Sequence, residues 1–348
     1  MIATRMNAAV MNKPGDINIQ MLEIPTPKRN EALVKVHCIG ICGSDIHYYE
    51  HGKIGNYVVK KPIILGHELA GEVVEIGEGV TDVKIGDRVA VEPGIPCGEC
   101  KYCKGGRYNL CPDVEFMATP PIDGAWAEFV AVKSDFLHTL PDHVSFEEGA
   151  LLEPLSVGVH AMTRGSIGPG DCLLVTGLGP VGLLAIEAAK MYGVTEIYGS
   201  DVVANRRELA LEMGAAGVID PSKEDMKNTL LSLTGDTLPN VLVETSGNAR
   251  AVTSSIHMVE RGGRLVFVGL PVENEVPIDM LHLVDSEFDV FGVFRYANTY
   301  PKAIQGLDNP LVDVKKVITH SFSLENINQA LEVATTQKNS SIKIMIYP

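Results

Sequence analysis

Cys172-Leu173-Leu174-Val175-Thr176-Gly177-Leu178-Gly179-Pro180-Val181-Gly182 changes period halfway along. Its first five residues form an unbroken apolar run, as expected of a parallel strand covered on both faces. Three glycines then fall in the G-x-G-x-x-G pattern, and a helix-like stretch follows to Tyr192. A second strand, Glu196 to Ser200, ends at Asp201. In that strand-loop-helix setting the glycines allow a tight turn, close approach to a pyrophosphate at a helix N-terminus, and close helix-strand packing. Gly177, Gly179, Pro180, Val181 and Gly182 are therefore the expected dinucleotide loop. Asp201 would accept hydrogen bonds from the adenosine ribose and repel a 2′-phosphate, which favours NAD over NADP. Arg206 and Arg207 bear on the same choice, since a neighbouring Arg accommodates that phosphate; Arg206 is counted among the cofactor residues.

Downstream, helix and strand keep alternating. Ala204 to Gly214 reads as a helix with a Gly stop, and Gly217 to Asp220, Asn240 to Glu244 and Arg264 to Gly269 read as strands. The expectation is a doubly wound parallel sheet, a Rossmann domain, over 156–292. Beyond it, Ile327, Ala330, Leu331 and Ala334 mark one face of a helix, and Ile342, Ile344 and Ile346 alternate as a strand. Pattern alone does not decide which domain this tail joins.

Upstream the chain is different. Residues 7–40 alternate apolar and polar positions, broken by Pro25, Pro27 and Gly40, which fits short strands and turns. Pro62 to Gly66 is a strand that delivers His67 and Glu68, and strand-like alternation resumes at Gly71 to Ile76 and Asp87 to Val91. This part reads as a Gly-punctuated, β-rich domain.

Two groups of metal-binding side chains lie in it. Cys97, Cys100, Cys103 and Cys111, spaced two, two and seven residues apart, can close on one tetrahedral ion with no open position. Their lobe, about 94–112, is expected to hold a structural zinc; the acidic balance argues against a nucleic-acid knuckle. Cys42, in a loop before Gly43-Ser44-Asp45, together with His67 and Glu68 offers a thiolate, an imidazole and a carboxylate, the set that holds Zn²⁺ where one position stays open. Glu153, alone in an apolar run, is a candidate fourth contributor, directly or through a zinc-bound water, because a buried carboxylate is costly unless paired or metal-bound.

The totals agree with two domains and a small-molecule partner. A chain of 348 residues, 45% hydrophobic, exceeds what one core serves. A net charge of −15 disfavours nucleic acid and anionic membranes as partners. Met1 to Asn7 shows no apolar segment after its one basic residue, and the longest uncharged stretch, Cys172 to Ile186, is shorter than a membrane span. Seven cysteines, an odd count with tight C-x-x-C spacing, point to metal in a reducing compartment. A cytoplasmic protein is expected.

These residues resemble the zinc-dependent medium-chain dehydrogenases and, among them, the polyol (sorbitol, xylitol) dehydrogenases. The likeness spans essentially the whole chain. Its most specific parts are Gly40 to Asp45 with His47-Tyr48, Gly66-His67-Glu68, Gly106 to Leu110, Ala118 to Pro121, Glu147 to Ser156, and Phe294 to Asn298. The resemblance implies an α/β architecture: a GroES-like β-rich catalytic domain, 1–155 and 293–348, with a Rossmann domain and the active site in the cleft between them. It implies two zinc ions per chain, NAD, and a homotetramer. It assigns Cys42, His67 and Glu68 as ligands of the catalytic zinc, with Glu153 as ligand or partner of the zinc water. Asp45 becomes the acid that orients the imidazole, Ser44 and His47 a proton relay, and Tyr48, Arg295 and Tyr296 contacts to polyol hydroxyls. The expected reaction oxidises a secondary hydroxyl of a polyol to the ketose. The rival expectations are a 2,3-diol or L-threonine as substrate, and a catalytically silent relative. The animal sorbitol dehydrogenases lack the complete four-cysteine lobe kept here, so the likeness is closer to microbial members.

Overall fold

The computed structural model describes residues 4–271 and 275–348; residues 1–3 of the Met1–Asn7 stretch lie outside them. The chain divides into two compact units, Met1–Glu153 with Ile318–Pro348, and Pro154–Val317.

The first unit is built on the strand Glu31–Gly40, almost wholly buried. Among the described residues, it lies inside a seven-stranded sheet, flanked by Glu68–Ile76 and by Lys343–Tyr347, with Phe129–Lys133 pairing along its outer half. Its register sets Gly40 opposite both Glu68 and Met345. A smaller sheet joins Asp16–Glu23, Arg5–Lys13 and Ile63–Ile64. Trp126, Met11, Leu33, Ile39, Leu65 and Leu69 are fully buried in this unit. Each such side chain contributes about 1.5–3 kcal/mol by leaving water. The helix Ile327–Thr336 adds Ile327, Ala330, Leu331 and Ala334 to the same core.

The second unit carries six parallel strands. Across the sheet they run Gly217–Ile219, Glu196–Ser200, Cys172–Thr176, Val241–Glu244, Arg264–Phe267 and Asp289–Gly292. In chain order that is 3-2-1-4-5-6, the doubly wound arrangement, whose switch point lies between Cys172–Thr176 and Val241–Glu244.

The unit boundaries differ from the expected 155 and 293. The first falls at Pro154, inside the helix Phe146–Arg164. The second falls after Val317, so residues 293–317 lie with the sheet domain. Their anchors explain it. Gly306 abuts Met191, Lys190 Nζ donates to the Leu311 carbonyl at 2.5 Å, and Glu187 accepts from the Asp313 N–H at 3.0 Å. Met191, Lys190 and Glu187 all belong to the helix Pro180–Met191 that follows the glycine loop.

Candidate active site and cofactor loop

Cys42 is the residue before a helix, Gly43–His51, where the sequence reading placed a loop. The helix starts there because Asp45 reaches back: its Oδ2 accepts the Cys42 N–H at 2.9 Å, satisfying a donor the first turn leaves open. The other oxygen, Oδ1, accepts the Gly66 N–H at 3.0 Å and lies 3.6 Å from His67 Nδ1. Wholly buried Asp45 thus stitches the two ligand-bearing segments together and sets its carboxylate beside the Nδ1 edge of the imidazole. Gly66 has φ +87, and a side chain there would enter the Trp126 ring, so only glycine turns the chain at this point.

The result is that donor atoms of Cys42, His67 and Glu68 lie within 4.8 Å of one another. Glu153 is buried but falls outside that set. The pocket's charge suits a cation. Burial alone would lower the His67 pKa, yet the Asp45 carboxylate overrides it and holds the imidazole well above its ordinary range.

Lys343 is a site residue that no motif marked. Its Nζ lies 2.7 and 2.6 Å from the two Glu68 oxygens and 3.1 Å from the Ile41 carbonyl. Burial would depress its pKa, but Glu68, Cys42 and Glu153 together hold it raised. The signal was present in Ile342-Lys343-Ile344-Met345-Ile346, a lone charge in an apolar strand. One Glu68 carboxylate therefore serves both the ammonium and the metal-binding set.

Ser44 is half-buried and His47 exposed on the helix after Cys42, with the His47 ring edge-on to His51 at 4.8 Å. Tyr48, on the same helix, is buried. Arg295 and Tyr296 lie in the second unit, between Asp289–Gly292 and Tyr300–Gly306; Arg295 has φ +51, and Tyr296 is buried with its ring 5.8 Å from Tyr300.

In the cysteine lobe the four sulfurs also converge within 4.8 Å. Cys100 and Cys103 sulfurs are 3.4 Å apart, and those of Cys97 and Cys103 are 4.0 Å apart. Four thiolates at about 2.3 Å from a tetrahedral zinc stand about 3.8 Å from each other, so the donor set fits the ion. The Cys103 N–H draws the Cys100 thiol down to about 7. Tyr108, just before Cys111, anchors the lobe by donating to the buried Glu92 carboxylate at 2.7 Å; His138 holds the other oxygen at 3.0 Å.

In the second unit, Gly179 precedes the helix Pro180–Met191, with Pro180 and Val181 in its first turn. Gly177 has φ +83 and donates its N–H to the Ser200 carbonyl at 2.8 Å. Asp201 accepts the Leu178 N–H and the Val203 N–H, both at 2.8 Å, tying the acid to the loop. Arg206 lies 3.7 Å from Asp201, and Arg207 is taken up by Asp220 at 3.1 Å and by the Asp201 carbonyl. With Arg207 engaged and Asp201 at the strand end, the geometry fits a free ribose better than a phosphorylated one.

A GroES-like metal unit joined to a doubly wound dinucleotide unit defines a zinc-binding dehydrogenase. Two family profiles match in the same order: an alcohol dehydrogenase GroES-like domain over residues 28–142 and a zinc-binding dehydrogenase domain over 180–309. The chain is 48% identical to a sorbitol dehydrogenase of Bacillus subtilis (strain 168), over 100% of this chain and 98% of the relative. Among solved structures, an Escherichia coli oxidoreductase/dehydrogenase of unknown specificity superposes with a TM-score of 0.94 at 39% identity, covering 99% of each chain. The 2R,3R-butanediol dehydrogenase of Bacillus subtilis superposes with a TM-score of 0.90 at 33% identity, also over 99% of each chain. The chain belongs to the zinc-dependent polyol dehydrogenase family of the medium-chain dehydrogenases.

Proposed function

We propose that this protein oxidises a secondary hydroxyl of a polyol such as sorbitol or xylitol to the ketose, with NAD as acceptor. The observation that carries the reading is the meeting of a thiolate, an imidazole and a carboxylate, Cys42, His67 and Glu68, in a chain that also builds the Asp201 dinucleotide loop. Zinc, when bound, supplies Lewis-acid polarisation of the hydroxyl, and NAD supplies the hydride acceptor.

The chain's residues do the rest. Cys42, His67 and Glu68 would hold the metal, and the Asp45 carboxylate beside Nδ1 would orient the imidazole. Glu153 would serve as a partner of the metal's water rather than as a ligand, in keeping with its place outside the donor set. Ser44 and His47 pass the alcohol proton toward solvent; the exposure of His47 suits the end of that path. Tyr48, Arg295 and Tyr296 meet the remaining hydroxyls, where a plain alcohol would leave a buried donor unpaired at about 1–3 kcal/mol. Gly177, Gly179, Pro180, Val181 and Gly182 present backbone to the pyrophosphate, Asp201 takes the ribose hydroxyls, and Arg206 borders that pocket.

The GroES-like catalytic domain is proposed as 1–155 with the tail, trimmed to begin at Ile318 by the compact unit. A homotetramer is proposed as the working form. Exposed Met280, Leu281, Val284 and Val290 on the second unit support burial against another copy. The cytoplasm is the proposed compartment, supported by seven cysteines of which none is in a disulfide. Among the described residues, no helix is long and apolar enough to cross a membrane.

A substrate panel read by NADH absorbance tests the reading. Turnover of sorbitol or xylitol above 2,3-butanediol and L-threonine supports it. A preference for the diol or for threonine overturns the substrate, and no turnover of any alcohol by zinc-loaded protein overturns the enzyme.

A further inference from the structure

At the switch point of the sheet, the strands Cys172–Thr176 and Val241–Glu244 run side by side, with Thr176 opposite Glu244. Each continues into a turn. The first is the glycine loop; the second is Thr245-Ser246-Gly247, which belongs to no recognised motif. Ligands of parallel α/β sheets gather at such strand ends.

We propose that Thr245 and Glu244 are positioning residues for the dinucleotide, bracing the glycine loop from the neighbouring strand so that its backbone keeps the shape that receives a pyrophosphate. The proposal rests on the NAD reading above.

Thr245 makes the direct contact. Its hydroxyl donates to the Gly177 carbonyl at 2.7 Å, with the Thr176 carbonyl 3.2 Å away, and its N–H donates to Thr176 at 2.9 Å. The fit is close on both sides of that bond. A side chain at Gly177 would meet Ser246 backbone and Cβ at 2.7–2.9 Å, and one at Gly182 would meet the Thr245 hydroxyl at 2.8 Å and the Gly177 carbonyl. The first and third glycines of the loop and the Thr245 hydroxyl thus share one small space. Without the hydroxyl, the Gly177 carbonyl loses its bond at the point where the loop must hold its turn.

Glu244 holds the turn that carries Thr245. Its side chain is fully buried, and among the described residues it forms no ion pair. Its carboxylate instead accepts the Ser246 N–H at 2.9 Å, the Gly247 N–H at 3.1 Å and the Ser246 hydroxyl. Burial pushes its carboxyl above the ordinary range, while those donors pull the other way. A carboxylate offers acceptors to all of them; a glutamine amide would turn an N–H toward an N–H.

The test is equilibrium NADH binding, followed by nucleotide fluorescence, for the zinc-loaded wild type, Thr245→Val, Thr245→Ser and Glu244→Gln. Circular dichroism and zinc content establish that each variant is folded. Thr245→Val should raise the NADH Kd about tenfold, the scale of one buried bond lost. Thr245→Ser keeps the hydroxyl and should stay within about twofold of wild type. Glu244→Gln should weaken binding as Thr245→Val does. KM for NAD should rise with Kd, while kcat at saturating NAD does not fall and the polyol KM is unchanged, a split that a general loss of structure would not give. Wild-type NADH affinity in both Thr245→Val and Glu244→Gln overturns the proposal, as does Thr245→Ser binding as weakly as Thr245→Val. A wild type that binds no NADH would instead overturn the cofactor reading, and this proposal with it.

Discussion

Lys343→Met removes one charge and keeps most of the side chain's volume. In the protein the ammonium stands 2.6–2.7 Å from both oxygens of Glu68, and the two side chains are 2% and 1% exposed. Unit charges about 3 Å apart at an effective dielectric of about 20 attract by about 5 kcal/mol. Drying both ions offsets most of that attraction, so the pair as a whole adds little. Deleting one partner is different, because the other stays buried and uncompensated, at a cost of about 3–5 kcal/mol. The Ile41 carbonyl also loses its donor. Urea unfolding of Lys343→Met with the Cys42, His67 and Glu68 site stripped of metal, where no cation compensates Glu68, should therefore show stability lower by about 3–5 kcal/mol, with zinc content measured alongside. Lys343→Met with Glu68→Gln removes both charges and should regain most of the loss. A single variant within about 1 kcal/mol of wild type, or a double variant no more stable than the single, would refute the reasoning.

Cys42→Ser should abolish turnover and lower zinc from two ions per chain to one, with the four-cysteine lobe keeping its ion; retained activity in metal-analysed protein would remove Cys42 from the site. Asp201→Ala takes away the proposed ribose acceptor and the partner of the Leu178 N–H, so the NAD KM should rise about tenfold while the preference against NADP relaxes; an unchanged KM ratio would assign that preference elsewhere. The Ser222 hydroxyl, with the Ser222 N–H and Arg207, holds the Asp220 carboxyl below its ordinary range although burial opposes this. A depressed folded-state pKa gives stability that is present above the unfolded value, about 3.9, and lost as pH falls through the folded one. The Tm of wild type should consequently drop more steeply than that of Asp220→Asn between about pH 5 and pH 3; parallel curves would exclude the linkage.

Much of this arrangement could be read from local chemistry. The dinucleotide loop declared itself because strand, glycines, helix and acid occur in one consecutive run, and the cysteine lobe because its four thiols are close in sequence. Buried strands such as Cys172–Thr176 and Val241–Glu244 were apparent for the same reason: their apolar runs are short and bounded by turn residues. The helix Gly43–His51 was not. Its residues Ser44, Asp45, His47, Tyr48 and Glu50 show no apolar stripe, and it is held by Asp45 capping and tertiary contacts that periodicity does not register. That residues 293–317 group with the second unit was not legible, because what ties them to it is a set of side-chain to backbone bonds with Glu187 and Lys190. Lys343 escaped for a third reason: its partner is 275 residues away, a separation across which composition carries no information.

That separation also orders assembly in time. The second unit is one uninterrupted stretch, Pro154–Val317, whereas the first awaits Ile318–Pro348 before its sheet is whole. On a ribosome, Cys42 and His67 emerge early, yet the lysine that neutralises Glu68 arrives only after the entire nucleotide-binding half has been made. Nascent chains stalled soon after Val317 should hence resist protease across 154–317 and remain cleavable before it, and the reverse pattern would show that the metal half matures without its closing strand.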